Sequence, residues 1–261
     1  MMKKIRKGNK DIKSTIIFGI ALVIFVYALI RLGMIFWEYA KGQQSYDKLD
    51  QFTSIADGGK SGDAGEMPEN FSVDFEALKK VNPDIIGWIR FENMDISYPI
   101  VQGTDNDYYL THSFDKEEIK CGSIFAEAEN AADFSDDNTF IYGHNMKDKS
   151  MFAKLNQFKE EQIYKENPEF LIYTENAIYR YSIFSCYVAD TSWDSFTYQF
   201  ADEKAYEQWL QTVKDRSLYD TGIVPNQEEK TVTLMTCTPS GDNYRFLVHG
   251  ILTEIINQKA E

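Results

Sequence analysis

Positive charge and cysteine are both scarce in this 261-residue chain. It carries 27 Lys and Arg against 41 Asp and Glu, a formal net charge of −14. A phosphate backbone demands a basic face, so nucleic acid is excluded as the main partner. Three cysteines are too few for a disulfide-stapled scaffold. No internal repeat is visible. What is present is apolar: 43% hydrophobic and 15% aromatic residues, too much for a disordered chain. The length suits one large domain, or two small ones, with appendages.

The charge is unevenly spread. Residues 1–14 hold Lys3, Lys4, Arg6, Lys7, Lys10 and Lys13 against Asp11 alone. Thr15 to Ile30 carries no charge, and after Arg31 the apolar run resumes as far as Trp37. As a helix, residues 15–37 span about 34 Å, enough for a bilayer core. Arg31 sits near the distal end, where its side chain can snorkel to the interface. Trp37 and Tyr39 stand where an aromatic belt belongs. A cleaved secretory signal has a shorter apolar core and small residues at its cut, which this segment lacks. Residues 15–37 therefore read as a single-pass plasma-membrane anchor. The positive-inside rule places the basic flank in the cytoplasm and residues 38–261 outside.

Residues 38–67 read as a stalk and linker. Tyr39, Tyr46, Leu49, Phe52 and Ile55 recur at roughly helical spacing, and Asp57 to Gly65 is Gly-rich and cannot bury a core. The compact domain is expected from Pro68 to Ile256, with residues 257–261 as a tail. A short helix is predicted over Asp74–Val81, stopped by Asn82-Pro83. Eight runs rich in β-branched and aromatic residues follow: 87–91, 96–101, 123–126, 139–142, 169–173, 178–189, 231–236 and 245–255. A helix over Asp202–Val213 interrupts them. The fold class is mainly β, a closed or nearly closed eight-stranded barrel with helices confined to insertions.

Cys237 ends the strand-like run Thr231–Thr236 and opens a turn-rich loop, a position suited to attack rather than packing. Cys186 lies inside an apolar strand and reads as a small buried hydrophobe. Cys121 precedes Gly122 and is equally plain. Whether these two pair as a disulfide stays open, since proximity cannot be read from sequence. A thiol nucleophile needs a proton acceptor and a group to steady an oxyanion. His112, His144 and His249 are the bases available. His144 lies where a strand yields to a Gly-containing loop, whereas His249 sits inside the last strand. Arg245, eight residues after Cys237, falls at the same sheet end if the two segments form a hairpin. Asp133-Phe-Ser-Asp-Asp-Asn138 lacks EF-hand spacing and reads as a solvated acidic loop, so no metal site is assigned.

Thr233-Leu-Met-Thr-Cys237, Asn243-Tyr-Arg245 and Tyr142-Gly-His144-Asn145 together resemble the sortases, membrane-anchored cysteine transpeptidases of Gram-positive bacteria. The order His, Cys, Arg is theirs. The opening Asp74-Phe-Glu-Ala-Leu-Lys-Lys-Val and the insertion at about 190–225 resemble class B members in particular. Two departures stand out: Met235 replaces a frequent Ser, and the loop from Thr238 to Tyr244 contains Pro239.

The resemblance implies Cys237 as nucleophile, His144 as proton donor and acceptor, and Arg245 as the oxyanion and backbone clamp. It implies substrate-binding roles for Met235, Thr236 and Asn145. The implied substrate is a C-terminal sorting motif of secreted proteins, cut after Thr through a thioacyl intermediate. The acyl acceptor would be a peptidoglycan-precursor or pilin amine, with no cofactor. Two other readings are a hydrolytic cysteine endopeptidase and a non-catalytic surface-binding β-barrel.

Overall fold

The computed structural model describes residues 9–55 and 71–257, with side chains from Ser14 onward. Most of the basic flank, the Gly-rich linker, Pro68 and the extreme C-terminus lie outside the described residues. α1 (Asn9–Asp47) is one continuous helix of 39 residues, about 58 Å long. Its most apolar stretch has a mean hydropathy of 2.5 and is buried against none of the described residues. It is long and apolar enough to cross a membrane.

The helix does not stand free at its C-terminal end. A 3-10 turn (Lys48–Phe52) leads into β1 (Thr53–Ile55), which pairs antiparallel with β2 (Phe71–Val73). Leu49 and Phe52 are buried among Phe71, Phe75 and Phe114. Polar contacts reinforce the docking: Tyr46 Oη donates to the Gly122 carbonyl at 2.6 Å, and Lys41 Nζ to that of Glu118 at 2.9 Å. Asp115 accepts from Ser45 and Lys48. The stripe expected to form a free stalk is thus the face that seats α1 on the body. An apolar face seeks burial, and the barrel wall supplies it.

α2 (Phe75–Val81) starts where Asp74 caps it, accepting from the Ala77 amide at 2.9 Å, and ends at Asn82 before Pro83. The strands follow as β3 (Ile85–Arg90), β4 (Ser97–Val101), β5 (Ile124–Ala126), β6 (Asn138–Tyr142), β7 (Glu169–Tyr173), β8 (Ala177–Asp190), β9 (Thr231–Cys237) and β10 (Tyr244–Asn257). Between β6 and β7 lie a 3-10 segment (Phe152–Lys159) and the short α3 (Glu161–Glu166). α4 (Glu203–Asp215) separates β8 from β9. The strands close a barrel in the order β10–β8–β7–β3–β4–β5–β6–β9. Two neighbouring pairs, β4–β5 and β6–β9, are parallel.

Alternation along β10 explains the layering. Phe246 and Val248 point into the barrel core with Val232, Leu234 and Phe170. Leu247 and Ile251 face the other way, toward Tyr206, Trp209, Leu210 and Val213 of α4. Asp202 caps α4 by accepting from the Ala205 amide at 2.8 Å. The three cysteines are all free, so Cys121 and Cys186 form no disulfide. The acidic loop is tied to the protein: Asp136 accepts from Asn130 and Ala131, and Asp137 pairs with Lys230 at 2.9 Å.

His249 lies fully buried on β10, with Nδ1 at 2.9 Å from Thr233 Oγ1 and Nε2 at 3.2 Å from Tyr187 Oη. Thr233 gives its own proton to Asn138, so the His249 Nδ1–H donates to Thr233 Oγ1. Burial first, and Arg216 second, push its pKa down to about 3. The unfolded chain therefore binds this proton before the folded chain does. Its stabilising effect is complete above the ordinary histidine range and is lost as pH falls toward 3. Urea unfolding of the full chain should show stability falling by about 1 kcal/mol per pH unit below ~6.5 from this group alone. His249→Gln should flatten that slope, and an unchanged slope would refute the assignment.

Candidate active site

The parallel pairing of β6 with β9 builds the site. Tyr142 lies opposite Met235, and the Gly143 amide donates to the Met235 carbonyl at 3.1 Å. His144 and Cys237 each stand two residues beyond that pair. Strands running side by side in one direction end at one rim, so both side chains arise there. β10 returns antiparallel with Arg245 directly opposite Cys237, which places the two on the same face of the sheet. Gly143 permits the close approach before His144. A Cβ there would lie 2.5 Å from the Ile124 side chain and 2.6 Å from that of Phe152.

His144, Cys237 and Arg245 line one cleft of about 290 Å³ with Asn106, Leu110, Phe125, Tyr142, Gly143, Met235 and Thr236. Asn145 does not line it; this residue bridges to Met151 across the following loop. A larger cavity of about 470 Å³ between α1 and the barrel wall contains none of the three residues. It reflects how α1 seats, not the chemistry. Of the other two histidines, His112 stacks on Tyr108 at 3.9 Å with Nδ1 2.8 Å from the Tyr108 carbonyl. His249 is sealed in the core.

Nε2 of His144 lies 2.7 Å from the Leu110 carbonyl. A carbonyl can only accept, so Nε2 carries a proton and Nδ1 is left to exchange one. Nη1 of Arg245 donates to the carbonyls of Asp242 at 2.6 Å and Tyr244 at 2.9 Å. These bonds fold the side chain back over its own turn. Among the described residues no carboxylate pairs with it. Cys237 is the exposed thiol of the three. Burial pushes the Cys121 thiol up to about 11 and the Cys186 thiol up to about 12, which keeps both protonated and unreactive.

The 3-10 segment Phe152–Lys159 holds the end of β9 from behind, and sequence reasoning missed it. Asn156 Nδ2 donates to the Cys237 carbonyl at 3.1 Å, and Lys159 Nζ to Thr238 Oγ1 at 2.8 Å. Side chains three apart superpose on a 3-10 helix, so both reach the Cys237–Thr238 junction. Phe152, Leu155 and Phe158 fix the segment in the core, and Lys159 also lies 5.5 Å from the Phe246 ring. An apolar triplet at period three in a loop was the available signal.

Residues 89–253 match the Sortase domain family. Over 223 residues the chain is 32% identical to sortase B of Listeria monocytogenes, covering 85% of this chain and 89% of that one. The Clostridium perfringens sortase B structure superposes with a TM-score of 0.65 at 35% identity, over 69% of this chain and 99% of that one. A Staphylococcus aureus sortase B–substrate complex gives 0.66 at 28% identity, over 69% and 85% respectively. With its closed eight-stranded barrel, the chain belongs to the sortase family, in the class B branch, and is a cysteine transpeptidase.

Proposed function

We propose that this chain cleaves a C-terminal sorting motif of secreted proteins after Thr and transfers the acyl group to a cell-wall amine. The convergence of His144, Cys237 and Arg245 on one cleft, with Cys237 the exposed thiol, carries the reading. The Cys237 thiolate attacks the Thr carbonyl, and the remaining N–H groups of Arg245 steady the oxyanion and the substrate backbone. The C–N bond breaks as His144 gives a proton to the departing amine, leaving a thioester on Cys237. An incoming amine then attacks the thioester and loses a proton to His144; the C–S bond breaks and the Cys237 thiolate is released. Peptidoglycan-precursor and pilin amines fit the second step; water in their place gives slow hydrolysis. Met235 and Thr236, which line the cleft, contact the motif.

Under this reading α1 anchors the enzyme as a single pass, with its N-terminus in the cytoplasm and the catalytic body outside. The basic residues before Ser14 support the orientation.

Three outcomes test the reading on sorting-motif peptides with and without an amine acceptor. The wild-type chain should form a transfer product only when acceptor is present. Cys237→Ala should abolish cleavage and transfer together, and residual turnover would place the nucleophile elsewhere. Arg245→Lys keeps the charge but loses the planar fork, so kcat/KM should fall at least about tenfold. Equal activity with Lys would remove the clamp role.

A further inference from the structure

Beside the cleft, and in no step above, lies a buried carboxylate. Glu127, directly after β5, is 4% exposed. Oε2 accepts from Tyr142 Oη at 2.5 Å, and Oε1 accepts from Asn106 Nδ2 at 2.5 Å and from the Glu129 amide at 3.5 Å. All three donors are neutral. A carboxylate taken out of water and satisfied by neutral donors alone costs folding free energy. What that carboxylate does to its partners is therefore informative, and two of them, Asn106 and Tyr142, line the cleft with Cys237.

Both Glu127 oxygens act as acceptors, Oε2 for the Tyr142 hydroxyl and Oε1 for two N–H groups, which fixes the direction of both side-chain bonds. Tyr142 must spend its single proton on Glu127, which leaves its oxygen as a pure acceptor. Burial, and then the Glu127 carboxylate, hold the Tyr142 phenol far above its ordinary range, so that proton stays in place. Asn106 is fixed just as firmly. Its Oδ1 accepts from the Ala128 amide at 2.9 Å, and one Nδ2 hydrogen goes to Glu127, leaving one N–H to donate. The cleft wall thus offers one donor and one acceptor whose roles cannot exchange. That pairing complements an amide group, which presents a C=O and an N–H together.

We propose that Glu127 is a positioning residue that locks Asn106 as donor and Tyr142 as acceptor, so that the cleft reads an amide group of the acyl-donor peptide. The proposal rests on the acyl-transfer reading and names the chemistry that holds the peptide in it. Glu127 acts through its two partners. Its loss therefore lowers peptide affinity more than the reactivity of Cys237.

The test uses the full chain and the peptide that wild type cleaves fastest from a panel of Thr-containing sorting sequences. In Glu127→Gln the new carboxamide can donate, so Tyr142 and Asn106 lose their fixed roles. KM should rise about tenfold or more, with kcat changed less than about threefold. Labelling of Cys237 by methyl methanethiosulfonate, which has no amide to be read, should keep its wild-type rate. Tyr142→Phe should raise KM comparably, and the double variant should cost little beyond either single one. An unchanged KM in Glu127→Gln overturns the proposal while leaving acyl transfer intact. A labelling rate that falls in step with peptide turnover overturns it as well, by marking Glu127 as structural. A wild-type chain that labels at Cys237 yet turns over no peptide removes the acyl-transfer reading, and this proposal with it.

Discussion

The site depends on a parallel strand pair that closes the barrel. β6 and β9 are far apart in sequence, yet Asn138–Tyr142 runs beside Thr231–Met235 in one direction. Buried polar groups pin the register. Asn138 Oδ1 accepts from Thr231 and Thr233, and Thr231 Oγ1 also reaches the Asp137 carbonyl. A slip of one residue would turn Val232 and Leu234 out of the core and leave these groups unpaired. With the register fixed, His144 and Cys237 leave the sheet at the same rim, and β10 brings Arg245 opposite. Geometry that a catalytic constellation requires to within about 0.5 Å is inherited from a ladder of backbone hydrogen bonds.

The surrounding elements hold this rim from several directions. Phe152–Lys159 ties down the Cys237–Thr238 junction through Asn156 and Lys159. The loop containing Tyr108–Leu110 supplies the carbonyl that orients His144. The same stretch of chain, through Asp115, Glu118 and Gly122, receives the C-terminal end of α1. The segment that seats α1 and the segment that orients His144 are therefore parts of one connection between β4 and β5. Many small contacts set each position, so no single surface ion pair governs the arrangement.

Much of the barrel was legible because its strands obey simple rules. Each of the eight predicted runs overlaps one barrel strand, since β-branched and aromatic residues bounded by Gly, Asn, Asp or Pro leave few alternatives. α2 and α4 were legible from Asp74 and Asp202, both true N-caps. On α4 the buried stripe is Tyr206, Trp209, Leu210 and Val213, the spacing of an amphipathic helix. β1 and β2 escaped notice because three-residue strands carry too little pattern, and their pairing bridges a segment outside the described residues. Tyr46, Leu49 and Phe52 showed an apolar stripe, but sequence could not say what would cover it.

Candidate residues divide along the same line. Cys237 and Arg245 could be placed together because a hairpin is a local device. His144 could be named from its loop, but its proximity to Cys237 follows from a parallel contact that no local pattern announces. Asn145, adjacent in sequence to His144, turns toward Met151 instead. Asn106, Tyr142 and Glu127 gather from three separate segments, and their meaning lies in hydrogen-bond direction. The central claim is that Cys237 carries the acyl group on this rim. Mass spectrometry of the full chain, acid-quenched during turnover of a sorting peptide without amine, tests it most directly. The account predicts a thioester adduct, with the mass of the peptide's N-terminal fragment, on the proteolytic fragment containing Cys237. Turnover with the adduct on another residue would contradict it.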